Sequence, residues 1–195
     1  MSTIANSPRR TGEGRNPGDP DPRTLVERTI RVDQAGEFGA VRIYEGQLAA
    51  LRLTGRANGA AGRKIAAMAA AERAHNKEFD RLLAQRRVRP TALSPLWHVA
   101  GFALGAGTAL LGPRAAMACT AAVEEAIVEH YGKQADYLGP DQAELKATVE
   151  SARSDELAHR DAALAAGAEQ AAGYEILSAA IKRGTRLAIW LSERF

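Results

Sequence analysis

A chain of 195 residues that is 46% hydrophobic but only 5% aromatic has the size of one domain, and its abundant alanine favours packed helices over sheet. The single cysteine, Cys119, excludes an internal disulfide, a zinc knuckle and an iron–sulfur cluster, and it fits a reducing compartment. A net charge of +3 singles out no class of partner, and nucleic acid is not among those expected.

Residues 1–23 are rich in Pro, Gly, Arg and Asp and hold no hydrophobic segment. They resemble neither a signal peptide nor a presequence, and a disordered tail is expected, followed by one domain over 24–195. The first helical period runs from Thr24 to Leu53, with Ile30, Gln34, Glu37, Val41, Tyr44, Leu48 and Leu51 facing inward. A second, from Gly62 to Arg87, turns Ile65, Met68, Glu72, His75, Phe79 and Leu82 to one side. Between Pro90 and Pro113 no residue is charged. The third helix opens at Pro113 and carries Met117, Thr120, Glu124, Ile127, Tyr131 and Leu138 on its apolar face. Cys119 lies in this apolar stretch, as a buried thiol would. After the turn Gly139–Pro140–Asp141, a fourth helix to Ala166 presents Leu145, Val149, Ala152, Glu156, His159 and Ala163. A fifth, amphipathic, fills Tyr174–Arg194. Nothing reads as a strand. Two helical hairpins joined by a long apolar crossover make a ferritin-like, all-α four-helix bundle with an extra C-terminal helix.

The chemistry lies in where the acids stand. Glu37, Glu72, Glu124 and Glu156 each occupy the apolar stripe of their own helix, where an unpaired carboxylate is costly. Two belong to Glu-x-x-His units, Glu72–His75 and Glu156–His159, whose spacing puts both side chains on one helical face. Each half of the chain thus supplies a lone Glu and then a Glu-x-x-His. A single such unit is usually a surface pair, but four Glu and two His in one phase on four helices is the donor set of a carboxylate-bridged two-metal site. Oxygen-rich ligation with one imidazole per metal suits iron or manganese better than zinc. Tyr131 lies two turns beyond Glu124, either lining a channel near the metals or packing in the core. His130 is adjacent but off the stripe. Asp155 stands before the second Glu-x-x-His, placed to orient an imidazole or to face solvent. His98, in the connector, reads as interfacial.

The uncharged connector approaches the length of a spanning segment, yet it must join two helices of one bundle, so shallow insertion into one leaflet fits better. Arg81, Arg86, Arg87 and Arg89 precede it and Arg114 follows, placed for anionic headgroups. The last helix pairs Leu177, Ile181, Leu187, Trp190 and Leu191 with Lys182, Arg183 and Arg186, as an interfacial helix does. A cap on the bundle or a dimer contact is the alternative. The glycine-rich run Gly101–Gly107 lacks the strand–turn–helix setting of a phosphate loop.

The stretch from Arg31 to Glu45, the segments Arg87–Thr91, Pro95–His98, Gly101–Gly112 and Ala116–Thr120, the triplet starting at Val123 and the ending Leu191–Arg194 together resemble the demethoxyubiquinone hydroxylases over residues 24–195. The resemblance implies hydroxylation of a polyprenylated methoxy-methyl-benzoquinol with O2 in ubiquinone biosynthesis. It implies two Fe ions on Glu37, Glu72, His75, Glu124, Glu156 and His159, with NADH or a quinol as electron source. Tyr131 and His130 match a His–Tyr pair near the substrate channel, and Glu129 stands where the family often has a second His. A lipid-binding partner presents the substrate in several relatives. A peripheral location on the cytoplasmic side of a bacterial cell membrane is expected, and homo-oligomers are compatible with the sequence. A ferritin-like iron- or peroxide-handling protein, which needs no membrane face, and a non-catalytic membrane-associated bundle, which needs no converging ligands, are the competing readings.

Overall fold

The structure is a computed structural model that describes residues 20–195; most of the expected tail, residues 1–19, lies outside them. Among the described residues there are helices and turns and no strand. Helix α1 spans Pro22–Leu53, α2 Ala60–Arg86, α3 Ser94–Leu110, α4 Pro113–Tyr137, α5 Ala143–Ala165 and α6 Tyr174–Ser192. Single 3₁₀ turns at Pro140–Gln142 and Ala168–Gln170 lead into α5 and α6.

Local chemistry sets the ends. Asp21 accepts from the Arg23 N–H at 2.9 Å and from that of Thr24 at 3.4 Å, and Pro22 takes the first position, where a missing N–H costs nothing. Pro22 and Arg23 therefore belong to the helix rather than to the tail. Arg87 ends α2 in the left-handed region at φ 55°, where its N–H meets a carbonyl of the last turn.

Short loops make α1 and α2 one packed pair and α4 and α5 another. The inward stripes are borne out, with Ile30, Leu51, Ile65, Phe79, Met117, Leu145 and Val149 buried; Val41 is half-buried. The connector differs from expectation, because it is mostly helix. Helix α3 packs along α1 so closely that side chains are excluded from the seam. A Cβ on Gly46 would lie 2.1 Å from the Phe102 carbonyl oxygen, and one on Gly105 would lie 1.9 Å from that of Ile43. The glycine-rich run is thus a helix crossing. It leaves Leu96, Val99, Leu110 and Leu111 exposed on the outer side.

Helix α6 packs on α4, and two ion pairs join them: Lys182 Nζ to Glu125 at 2.6 Å and Arg186 to Glu129 at 2.8 Å. Two of the three α6 cations expected at a headgroup surface are therefore already engaged by α4. The expected α6 stripe also divides. Ile181 and Leu177 join the core, Leu191 is half-buried, and Leu187 and Trp190 are exposed. Trp97 donates from Nε1 to Ser192 Oγ at 3.0 Å, tying the start of α3 to the end of α6. No helix of the described residues is long and apolar enough to cross a membrane.

The crossing gives a direct stability test. Gly105→Ala should destabilise the protein by at least about 1–3 kcal/mol, since backbone must move to admit the methyl group. Gly107→Ala, facing open space in the same helix, should stabilise it by roughly 0.5–1 kcal/mol. Urea denaturation of both variants decides; equal effects would contradict the packing.

Candidate metal centre

The four inward carboxylates and two imidazoles meet midway along the bundle. Glu37, Glu72, His75 and Glu156 form one group and Glu72, Glu124, Glu156 and His159 another, each offering donor atoms within 4.8 Å of one another that could hold a metal ion. Glu72 and Glu156 belong to both. The four glutamates are at most 2% exposed. The cross-pairing is reciprocal. His75 Nδ1 lies 3.3 Å from Glu156 Oε1 and 3.6 Å from Glu37 Oε2. His159 Nδ1 lies 2.9 Å from Glu72 Oε1 and 3.2 Å from Glu156 Oε2.

Burial without partners would make such a cluster expensive. Glu37 Oε2, both Glu72 oxygens, Glu124 Oε2, Glu156 Oε1 and His75 Nδ1 are buried and have no hydrogen-bond partner. These are donor atoms aimed at a shared volume, and two divalent cations would satisfy them. The residues fit the metals that the sequence implies.

In the metal-free chain, protons take up part of that role. Burial pushes the Glu72 carboxyl well above its usual range, with the Glu156 and Glu37 charges adding to it. Burial does the same to Glu124, reinforced by Glu156 and Glu72. At Glu156 burial is outweighed by the His159 and His75 imidazoles, which hold it down near 2. The Glu156 and then the Glu37 carboxylates facing its Nδ1 lift His75 to about 11.

A ladder of polar contacts between α1 and α4 sets the position of the lone glutamates. Tyr131 Oη donates to Glu37 Oε1, and Tyr44 Oη donates to Glu124 Oε1 at 2.7 Å. Each tyrosine stands two turns after the Glu of its own helix and serves the Glu of the other. Gln134 donates to Asp33 Oδ1 at 2.7 Å and Gln47 to Thr120 Oγ1 at 3.3 Å. Partner numbers rise on α1 as they fall on α4, so the two helices run antiparallel. Tyr44, Gln47, Asp33 and Gln134 were not singled out as site residues by sequence. Their signal was present all the same, as polar side chains at whole-turn intervals from Glu37 and Glu124.

The remaining expected residues fall in different places. Tyr131 is fully buried and held by Glu37. His130 Nε2 accepts from Gln134 at 2.8 Å and lies 3.6 Å from Asp33 Oδ1. Burial lifts Asp33 to about 6, against the pull of His130 and Gln134. Asp155 reaches across to the other half, with Oδ2 3.1 Å from His75 Nε2. Glu129, in the place of a second His, instead binds Lys133 and Arg186. His98 is exposed beside Phe38, and Cys119 is buried, its thiol pushed up to about 12 by burial.

Beside the carboxylates lies an apolar cavity of about 330 Å³ between α1, α3, α4 and α6. Gly36 and Val123, next in sequence to Glu37 and Glu124, are in its wall, and Trp97, Leu104, Ile127 and Ile189 also line it. Neither Tyr131 nor His130 lines it.

The protonation of His75 gives a pH signature. Its imidazole keeps a proton to about pH 11 in the folded metal-free chain, against 6.5 for the free group. The stability this contributes is full below pH 6.5 and is lost as pH rises toward 11. Thermal melts of metal-free protein should therefore show a lower Tm at about pH 9 than at about pH 6. The fall should shrink in His75→Asn and disappear with excess ferrous ion, which displaces the proton. A profile shared by wild type and variant would contradict this.

Comparison with known proteins gives a consistent result. The profile of the family described as Ubiquinone biosynthesis protein COQ7 matches residues 24–192. A protein of Rhodospirillum rubrum named 3-demethoxyubiquinol 3-hydroxylase is 59% identical over 188 residues, covering 96% of this chain and 87% of the relative. The human protein named NADPH-dependent 3-demethoxyubiquinone 3-hydroxylase, mitochondrial, is 49% identical over 176 residues, covering 88% and 79%. A Saccharomyces cerevisiae protein named 5-demethoxyubiquinone hydroxylase, mitochondrial, is 40% identical over 185 residues, covering 87% and 78%. A match of this extent, carried by a chain whose six inward donors converge, means that it belongs to the COQ7 family of ubiquinone biosynthesis proteins.

Proposed function

We propose that this chain is a quinol monooxygenase that hydroxylates the ring of a polyprenylated methoxy-methyl-benzoquinol in ubiquinone biosynthesis. The reaction runs at two iron ions held by Glu37, Glu72, His75, Glu124, Glu156 and His159. The observation that carries this reading is the pair of overlapping donor groups sharing Glu72 and Glu156 beside an apolar cavity. The names of the relatives supply the substrate class and the step.

Each side chain has a distinct task. Glu72 and Glu156, common to both groups, would be shared by the two ions; Glu37 and Glu124 would complete one position each, oriented by the phenols of Tyr131 and Tyr44. His75 and His159 would bind through Nδ1, the nitrogen that faces the carboxylates. Two ferrous ions held there would supply the two electrons that, with two protons, let one oxygen atom of O2 leave as water while the other is inserted into a ring C–H bond. The electrons are restored by a nicotinamide nucleotide, as the human relative's name says of that protein, or by a quinol.

The protein otherwise excludes water and positions the ring. The cavity wall is almost wholly apolar, with Thr185, Ser192 and the Trp97 indole as its polar points, a surface suited to a prenylated ring. An iron-storing bundle has no use for such a groove. The prenyl tail reaches it from a lipid surface, which Leu96, Val99 and Leu110 of α3, Leu111 after it, and Leu187 and Trp190 of α6 engage on the cytoplasmic leaflet.

Four outcomes are expected. Iron-reconstituted protein should hold about two irons per chain by elemental analysis. With a short-chain quinol under ¹⁸O2 it should give product carrying one ¹⁸O. Glu156→Gln should abolish product while the far-ultraviolet circular dichroism persists, because the helices rest on their apolar stripes. Product labelled from water, or turnover retained in Glu156→Gln, would overturn the reading. Co-sedimentation with anionic liposomes should weaken on Leu111→Ser plus Trp190→Ser; protein left in the supernatant would require delivery by a partner.

A further inference from the structure

The donor set has an internal two-fold pattern that its surroundings break. Glu37, Tyr44 and Gln47 of α1 repeat in register as Glu124, Tyr131 and Gln134 of α4, and Glu72 and His75 of α2 repeat as Glu156 and His159 of α5. The hydrogen bonds follow the repeat. Three matched places do not. Asp155 stands where the first half has Ala71, while Asp33 and His130 of the two helices correspond to Thr120 and Ile43.

All three extra groups attend the same side. Asp155 Oδ2 lies 3.1 Å from His75 Nε2, the nitrogen turned away from the carboxylates. Asp33 sits one turn before Glu37 and is fully buried, with His130 beside it. On the other side Glu124 meets the neutral Tyr44 phenol, and beyond it Gln47 pairs with the neutral Thr120. Among the described residues no carboxylate stands on His159 Nε2, and its nitrogen contacts are through Nδ1 to Glu72 and Glu156.

We infer that the two metal positions are unequal, the one held by Glu37 and His75 filling first, and that Asp155 is the positioning residue that makes it so. The inference rests on the di-iron reading above. A carboxylate that accepts the Nε2–H fixes the tautomer, leaves the Nδ1 lone pair facing the metal and makes the imidazole a stronger donor. Such partners are worth about 10–100-fold in metal affinity. The Asp155 carboxylate also adds negative charge on that side, which favours a divalent cation there in the same sense, while Asp33 is offset by the His130 imidazole beside it. Asp155 is 55% exposed, so it can be replaced without opening the core.

Anaerobic calorimetric titration of the metal-free full chain with ferrous ion tests this, with ⁵⁷Fe Mössbauer spectra at one and two equivalents. Wild type should bind in two resolved steps, the first at least about tenfold tighter, and show one dominant doublet at one equivalent. Asp155→Ala should weaken the first step about 10–100-fold and leave the second unchanged, bringing the two together. Ala71→Asp, which places a carboxylate opposite His159, should tighten the second step, and it decides the question by itself if Asp155→Ala does not fold. Fewer than two irons on wild type would remove the di-iron reading and this inference with it. Two irons bound in equal steps, or a first step unmoved by Asp155→Ala, would overturn the inference and leave the di-iron reading standing.

Discussion

Four carboxylates buried in one small helical core are the constraint on which the rest of this structure depends. Each taken alone would cost several kcal/mol against leaving it in water. A chain with no compensation would turn them outward or hold them neutral. Here they stay inward because everything around them is arranged to receive positive charge: two imidazoles cross-paired between the halves, two tyrosine hydroxyls, and oxygens left open toward a common volume. In the absence of metal the same atoms collect protons, which is why Glu72, Glu124 and His75 are all displaced toward their protonated forms. Metal affinity, proton affinity and fold stability are therefore one linked property of this bundle.

That arrangement needs rigid helices at fixed registers, and the packing supplies them. The antiparallel ladder between α1 and α4 fixes Glu37 against Tyr131 and Glu124 against Tyr44. Helix α3, pressed onto α1 through glycine, closes the outer side of α1 without adding bulk that would shift it. The same seam leaves the apolar cavity between α1, α3, α4 and α6, so the helix crossing that stiffens the site also shapes the room beside it. Ion pairs from Glu125 and Glu129 seat α6 as the remaining wall.

Much of this was legible in the residues. The inward phases of Glu37, Glu72, Glu124 and Glu156 follow from helical period alone, and the structure brings all six expected donors together. The hairpin pairing follows from short loops. What sequence did not reveal are the interactions between elements distant in the chain. Helicity from Ser94 to Leu110 was hidden because glycine is a poor helix former and its use here depends on what α1 presents. Asp155 was left between an imidazole partner and solvent, and both hold, since it is 55% exposed and meets His75; which imidazole it meets depends on how α2 and α5 cross. Lys182 and Arg186 looked free for headgroups until Glu125 and Glu129 of α4 were seen opposite them. Periodicity reports which face of a helix turns inward; it carries no information about the element that face meets.

The measurement that bears most directly on the central claim is anomalous X-ray scattering at the iron edge from crystals of the ferrous-loaded protein. The account predicts two peaks per chain, about 3.5–4 Å apart, each against one oxygen of Glu72 and one of Glu156, with Glu37 and His75 on one and Glu124 and His159 on the other. A single peak, or two peaks that do not share Glu72 and Glu156, would contradict it.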